Sequence, residues 1–479
     1  MKSSALSALG LRTEAPPISW LMATALARPR LISLAAGFTD NLSLPVREAR
    51  VLLEEILSSP RAGQAALQYG STIGDPLLRQ LTAGRLEEMD GAGGAGLLSG
   101  AWSVARESDR NLSRNPSAEL SRRITSRITT KITTKITRDN GDPAPGETAR
   151  IYSPKRTVIT QGSQQLLYMV TEALCDPGDI VLVEDPTYFV FLGIVQSHGL
   201  EARGVRMEAD GLDLAHLEAV LEGLKRGGRL SRLKLLYLVS YHQNPTGVTT
   251  AFEKKAAVLK LLRQHERAAG HPLYLVEDAA YRELRFHGDP VKSALAVPGA
   301  GERVIYAGTY SKPFATGVRV GFGLLPEPVL TAVLHIKGNH DFGSSNLLQQ
   351  LLARALDSGR YEAHLDTLRR RYAQKARVMQ AGLQAHFPPA VQWRAPEGGL
   401  YFWPRLPRIV KSGTRSRLFR AALANEVLYV PGELCYADDP ARPKPNHELR
   451  MSFGSATELN IRNGIERLGR ALDRVMRDA

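Results

Sequence analysis

The chain has 479 residues, 43% of them hydrophobic and 23% charged, with a net charge of +14. That length is enough for a large domain plus a smaller one. The two cysteines, Cys175 and Cys435, exclude a disulfide framework and a thiolate metal cluster and fit a reducing, cytoplasmic setting. No apolar run reaches bilayer length, and Met1 to Thr13 holds no secretory signal pattern. Six of the cations lie between Arg122 and Arg138 with no acid among them. The basic balance is thus largely local, and a nucleic-acid partner is not expected from it.

In chain order, Pro16-Pro17 opens a short helix, Ile18 to Ala27. Leu31 to Phe38 reads as a short strand ending at Gly37, where the backbone can approach a ligand closely. Arg47 to Ser58 has helical spacing. Leu67 to Pro76 is a glycine-rich loop carrying Tyr69-Gly70, and Leu77 to Met89 is a helix. From 90 to 150 the character changes. A glycine-rich run is followed by a four-residue repeat from Arg123 to Thr137, in which Ile124, Ile128, Ile132 and Ile136 recur with threonines and basic residues. The stretch reads as a low-complexity insertion.

After it, apolar runs alternate with helical patterns. The runs are 157–160, 179–183, 234–239, 273–276 and 304–306. Such alternation predicts a mostly parallel sheet covered by helices on both faces. Each run ends in small or polar residues: Gln161-Gly162-Ser163-Gln164, Asp185-Pro186-Thr187-Tyr188, Ser240 to Gly247 with Asn244, Glu277 to Tyr281 with Asp278, and Gly308 to Lys312. Ligands of open α/β sheets bind outside the carboxyl ends of the strands, so five such clusters predict one shared site. Long helices over 347–356 and 361–386 lead to strands over 391–393, 400–403 and 448–453, and a helix over 456–477 closes a smaller α+β unit. The predicted division is 1–45, an N-terminal segment joining the small domain; 46–340, the large domain with the 90–150 insertion; and 341–479, the small domain.

Lys312 stands in a run of hydroxyls and glycines, with Arg319 seven residues on. A lysine beside another cation and partly desolvated loses its proton more readily and becomes a nucleophile toward a carbonyl. Arginine and hydroxyls together grip phosphate. Pyridoxal phosphate uses all of these. Its aldehyde takes a lysine as an imine, and its pyridine nitrogen stays protonated beside a carboxylate, for which Asp278 is placed. Its ring oxygen needs donors, for which Asn244 and Tyr281 are available. Its ring needs a flat partner, Tyr188. Its phosphate needs a helix N-terminus, which Gly162-Ser163-Gln164 supplies.

The set Asn244-Pro245-Thr246-Gly247, Glu277-Asp278-Ala279-Ala280-Tyr281 and Thr309-Tyr310-Ser311-Lys312 with Arg319 resembles the class I/II aminotransferases of fold type I. The likeness is greatest to the 2-aminoadipate and kynurenine aminotransferase branch. Tyr69-Gly70, Gln161 to Gln165, Asp185 to Tyr188 and Leu449 to Phe453 fit the same pattern, which runs from about residue 18 to the C-terminus outside the insertion. The resemblance implies a homodimeric, pyridoxal-phosphate-dependent transaminase passing an amino group from an amino acid to a 2-oxo acid by a ping-pong route. It implies that Lys312 holds the cofactor and then carries the proton, that Asp278 pairs with the ring nitrogen, and that Asn244 and Tyr281 bond the ring oxygen. Tyr188 would stack on the ring. Ser163, Gln164, Thr309, Ser311 and Arg319 would hold the phosphate with Tyr69 of the partner subunit, Arg450 would clamp the substrate carboxylate, and Gly37 would lie beside it. The chain departs from the pattern in its insertion and in Thr316, where proline is common. A lyase or decarboxylase on the same fold shares the motifs around Lys312. A non-catalytic sensor would carry a winged-helix domain, which the early start of the resemblance does not lead one to expect.

Overall fold

The computed structural model describes residues 5–91 and 151–478. The expected basic repeat and nearly all of the 90–150 insertion lie outside the described residues.

An eight-stranded sheet organises the centre of the chain. Its strands are β2 (Thr157–Thr160), β3 (Ile180–Asp185), β4 (Glu201–Glu208), β5 (Gly211–Leu212), β6 (Leu233–Val239), β7 (Tyr274–Asp278), β8 (Val304–Thr309) and β9 (Gly321–Leu324). Their order across the sheet is β2-β9-β8-β7-β6-β3-β4-β5. The pairs β3–β4, β3–β6, β6–β7 and β7–β8 are parallel, whereas β9 runs antiparallel to both β2 and β8. The central parallel strands β3, β6, β7 and β8 read as apolar runs because both of their faces are covered: every residue of β7 and β8 is buried.

Five of the eight strands coincide with the apolar runs of the sequence. The other three lacked that signature. Strand β4, Glu-Ala-Arg-Gly-Val-Arg-Met-Glu, is half-exposed next to the sheet edge and carries charges. Strand β5 is two residues long. Strand β9, Gly-Phe-Gly-Leu, is glycine-rich because it lies against the turn after β2, where a Cβ on Gly321 would stand 2.4 Å from the Ser163 nitrogen.

The C-terminal part carries a three-stranded antiparallel sheet in the order β10-β13-β12, from Tyr401–Phe402, Leu449–Ser452 and Val430–Pro431. The N-terminal strand β1 (Ile32–Ser33) pairs in parallel with β11 (Val427–Leu428). The expected strand at 391–393 is reduced to one bridge, Gln392 with Arg405. The helix Arg360–His386 runs beside the closing helix Glu458–Arg477, whose apolar face is fully buried. A buried ion pair fastens the N-terminal segment to the first of these: Lys375 Nζ donates to Asp40 Oδ1 at 2.7 Å and to the Gly454 carbonyl at 2.8 Å.

One further cluster lies where the described chain breaks off and resumes. The buried carboxylate of Asp90, one residue before Gly91, accepts the Tyr152 hydroxyl at 2.7 Å and the Ser293 N–H at 2.7 Å. It also pairs with the Arg282 guanidinium. Asp90 is thereby held below the ordinary carboxylate range: burial opposes its ionisation, and the arginine and hydrogen bonds outweigh burial.

Candidate active site

The strand ends build a cavity lined by Gly162, Ser163, Gln164, Tyr188, Asn244, Asp278, Ala280, Tyr281, Thr309, Ser311, Lys312 and Arg319, among others. These residues follow or end β2, β3, β6, β7 and β8, so the five polar clusters do converge at the carboxyl edge of the sheet.

The turn after β8 presents Lys312. Its backbone is stapled by the Tyr310 N–H to the Val320 carbonyl (3.0 Å) and the Phe314 N–H to the Tyr310 carbonyl (3.0 Å). Tyr310 and Phe314 are buried against Tyr361, and the Tyr310 hydroxyl meets Thr82 Oγ1 at 2.6 Å. With its neighbours anchored in aromatic packing, the lysine side chain is free to reach into the cavity. There Lys312 Nζ donates to the Gly37 carbonyl at 2.8 Å. Its pKa is lowered to about 8, first by desolvation and then by the cations Arg319 and Arg450, with Asp278 opposing. The amine is therefore closer to its nucleophilic form near neutrality than a surface lysine.

Asp278 ends β7 on a strand that is buried throughout. Burial pushes its carboxyl up to about 6, against the hydrogen bonds it receives from Tyr237 and the Ala280 N–H and the charge of Lys312. The Tyr237 hydroxyl donates to Asp278 Oδ2 at 2.8 Å, and the Tyr237 ring stacks on Phe191 at 3.8 Å between centroids. A carboxylate this buried has a strong preference for a cationic partner.

The anion cradle forms at the N-terminus of the helix Gly162–Leu174. Gly162 has φ +74°, and a Cβ there would stand 3.1 Å from Arg319 Nη2. Arg319 itself adopts φ 51°, a left-handed conformation that costs a non-glycine residue on the order of 1 kcal/mol. The two residues together bring the guanidinium over the first turn of the helix, whose free N–H groups favour an anion. Ser311 Oγ is buried there without a hydrogen-bond partner. A phosphate monoester would satisfy that hydroxyl, the helix N–H groups and the guanidinium together. The amine, the buried carboxylate and the anion cradle thus fit the three polar ends of pyridoxal phosphate.

Arg450 in β13 is 2% exposed. Its Nη1 donates to Asn244 Oδ1 at 2.9 Å and its Nη2 to the Ala35 carbonyl at 2.6 Å, while Nε is buried without a partner. The guanidinium lies between the rings of Phe189 (5.1 Å) and Tyr401 (4.5 Å). Of the expected site residues, Gly37 reaches Lys312 through its carbonyl, and Asn244 and Arg450 bond directly. Tyr69 is 81% exposed, packs edge-on against Phe342 and is absent from the lining of its own chain's cavity. Two site residues were not singled out from the sequence. Tyr237 is mid-strand and reads as core. Tyr401 lies in the apolar run Leu400-Tyr401-Phe402-Trp403, and only its position opposite Ser452, two residues beyond Arg450, brings it to the site.

Comparison with known proteins agrees with this chemistry. The family description "Aminotransferase class I and II" matches residues 143–468. The chain belongs to the class I and II aminotransferases. It is similar to the aromatic-amino-acid aminotransferase 1 of Thermococcus litoralis, 31% identical over 321 residues, which is 67% of this chain and 73% of the relative. It is also similar to the 2-aminoadipate transaminase of Thermus thermophilus, 33% identical over 321 residues, 67% of this chain and 76% of the relative. Helix-turn-helix transcriptional regulators occur among its relatives too. The crystal structure of kynurenine aminotransferase from Pyrococcus horikoshii superposes with a TM-score of 0.78 at 27% identity, covering 98% of each chain. This aminotransferase accordingly uses pyridoxal phosphate and acts on amino and 2-oxo acids. Among the described residues no helix is long and apolar enough to cross a membrane, and no cluster of His, Cys, Asp or Glu could hold a metal ion.

Proposed function

We propose that this aminotransferase moves the amino group of an L-amino acid to a 2-oxo acid in two half-reactions at the strand-end cavity, with Lys312 as its catalytic residue. The observation that carries the assignment is the meeting of a desolvated amine, a buried carboxylate and a fully buried arginine around one cavity. Bound pyridoxal phosphate supplies an electron sink for the pair left when a proton leaves the substrate's α-carbon.

The chain's own residues do the rest. Arg450 holds the substrate carboxylate, using the N–H groups that Asn244 and Ala35 leave free. Its aromatic neighbours Phe189 and Tyr401 fix the plane of the fork. Lys312 would hold the cofactor through its carbonyl group and, as a free amine, would carry the proton that leaves the substrate's α-carbon. An amine with a lowered pKa is matched to that task near neutrality. Asp278 keeps the cofactor's ring nitrogen protonated through its opposite charge. Asn244 and Tyr281 donate to the ring oxygen, and Tyr188 covers the ring. Ser163, Gln164, Thr309, Ser311 and Arg319 hold the phosphate, and Gly37 lies beside the substrate.

Tyr69 belongs to this reading as a residue given to the partner site: its exposed ring and that of Phe342, 59% exposed, suit a homodimer in which Tyr69 of the partner subunit reaches the phosphate. We place the division between a large domain (46–340) and a small one (341–479) joined by residues 1–45, and the location in the cytoplasm, in the same reading.

The test is an absorbance spectrum of purified protein reconstituted with pyridoxal phosphate, alone and with a panel of amino acids. A visible band that bleaches with a donor and returns with 2-oxoglutarate is expected, and Lys312→Ala should abolish the response. A band that is bleached by donors but not restored by any 2-oxo acid would favour a lyase instead.

A further inference from the structure

We propose that Tyr401 is a positioning residue that joins the substrate-carboxylate arginine to the donor of the cofactor's ring oxygen, Tyr281. The inference rests on the pyridoxal-phosphate reading above and extends it to a residue from the C-terminal three-stranded sheet. Three contacts converge on this one phenol. Its hydroxyl lies 2.9 Å from the Tyr281 hydroxyl, with the rings edge-to-face at 5.6 Å, and both side chains are buried. Its ring face carries the Arg450 guanidinium at 4.5 Å. Its oxygen leaves no room for a side chain on Gly37, where a Cβ would stand 2.3 Å away, and the Gly37 carbonyl is the acceptor of Lys312.

The need for a donor at the cofactor's ring oxygen gives this arrangement a direction. Two hydroxyls that face each other place one hydrogen between them. When Tyr401 donates it, Tyr281 keeps its own hydrogen for the cofactor's ring oxygen and becomes the stronger donor, because bonded hydroxyls polarise one another. Asn244 is oriented in the same manner: its carbonyl oxygen accepts from Arg450, which turns its amide donors away from the arginine and leaves them available to the ring oxygen. The residue that grips the substrate carboxylate and the phenol stacked on it therefore set both ring-oxygen donors. Tyr188 and Arg450 also act on Tyr281 electrostatically, and Asp278 and Lys312 line the same cavity, but among the described residues only Tyr401 hydrogen-bonds its hydroxyl.

Replacing Tyr401 by phenylalanine keeps the ring beneath Arg450 and removes only the hydroxyl. Tyr281 then donates less strongly, the ring oxygen retains more negative charge, and the proton on the Lys312 nitrogen is held more tightly. The measurement is the pH titration of the visible absorbance of the protein reconstituted with pyridoxal phosphate, for wild type, Tyr401→Phe, Tyr281→Phe and the double variant. The midpoint should rise by about half to one pH unit in Tyr401→Phe, the equivalent of one neutral hydrogen bond. It should rise further in Tyr281→Phe, and the double variant should titrate as Tyr281→Phe does, because Tyr401 acts through Tyr281. A residue that merely filled space would leave the midpoint where it was. An unshifted Tyr401→Phe beside a titrating wild type, or shifts that sum in the double variant, would overturn the inference alone. A wild type with no visible band after reconstitution would overturn the cofactor reading and the inference with it.

Discussion

Tyr237→Phe isolates one hydrogen bond behind the cofactor site. The Tyr237 ring stacks on Phe191 with an interplanar angle of 16°, so phenylalanine keeps the packing and removes only the 2.8 Å donor to Asp278 Oδ2. A buried hydrogen bond to a carboxylate is worth about 2 kcal/mol, which at about 1.4 kcal/mol per unit is about 1.5 pKa units. Asp278 stands at about 6, and loss of the bond moves it to about 7.5 in the variant. Cofactor binding that needs the ionised carboxylate then meets a smaller ionised population. At pH 7 that population falls from about nine-tenths to about one-quarter, and at pH 6 from about one-half to about one-thirtieth. The ratio of variant to wild-type dissociation constants for pyridoxal phosphate should therefore be about 15 at pH 6, about 4 at pH 7 and about 1 at pH 9. Titrating the apoprotein with the cofactor at each pH measures it, and the ionisation of Lys312, common to both proteins, cancels in the ratio. A ratio that stays flat from pH 6 to pH 9 would refute the role given to the Asp278 charge.

Lys312 makes its own pH prediction. Its lowered pKa, about 8, means that the reactive free amine is the minority form at neutral pH and grows as pH rises through that value, so the rate at which apoprotein captures the cofactor should climb about tenfold per unit below pH 8 and level off above it; stopped-flow absorbance reads it, and a flat rate from pH 6 to pH 8 would contradict it. Arg450→Lys keeps a charge but loses the planar fork, and steady-state kinetics should show kcat/KM for the amino acid reduced by about a hundredfold, or about 3 kcal/mol, with cofactor affinity little changed. Lys375→Met leaves Asp40 buried without its closest cation, and denaturant unfolding should show a loss of about 3 kcal/mol, part of which Asp40→Asn should return in the double variant.

The parts of the site that were legible in the sequence share one property: they stand where an apolar run stops. Asn244, Asp278 and Lys312 each follow or end a buried strand, and a polar residue at that place contrasts with what precedes it. Tyr401 and Tyr237 carry no such contrast. A tyrosine inside Leu-Tyr-Phe-Trp or Leu-Leu-Tyr-Leu-Val reads as packing, and only the register of its strand shows where its hydroxyl arrives. Arg450 was visible as a charge within a strand pattern, but its partners Asn244 and Ala35 lie 206 and 415 residues away in the chain, a distance no local pattern spans. Sheet composition failed for a related reason. Strand β9 has two glycines in four residues because the Gly162–Ser163 backbone presses on Gly321 and the Leu166 and Leu325 side chains press on Gly323, so the feature that makes it fit the fold also erases its strand signature.

The cluster around Asp90 and Tyr152 carries a consequence for how this fold can be extended. The chain exits at Gly91 and returns at Ile151 through a neck that the Asp90 carboxylate, the Tyr152 hydroxyl and Arg282 already clasp. The ends are fixed by the body of the protein, so the entropic penalty of closing an excursion there grows only with the logarithm of its length, about 0.6 kcal/mol for each doubling. The neck works as a socket: Asp90, Tyr152 and Arg282 hold its two ends to the body that carries Lys312 and Asp278 through contacts made entirely on the near side of the break.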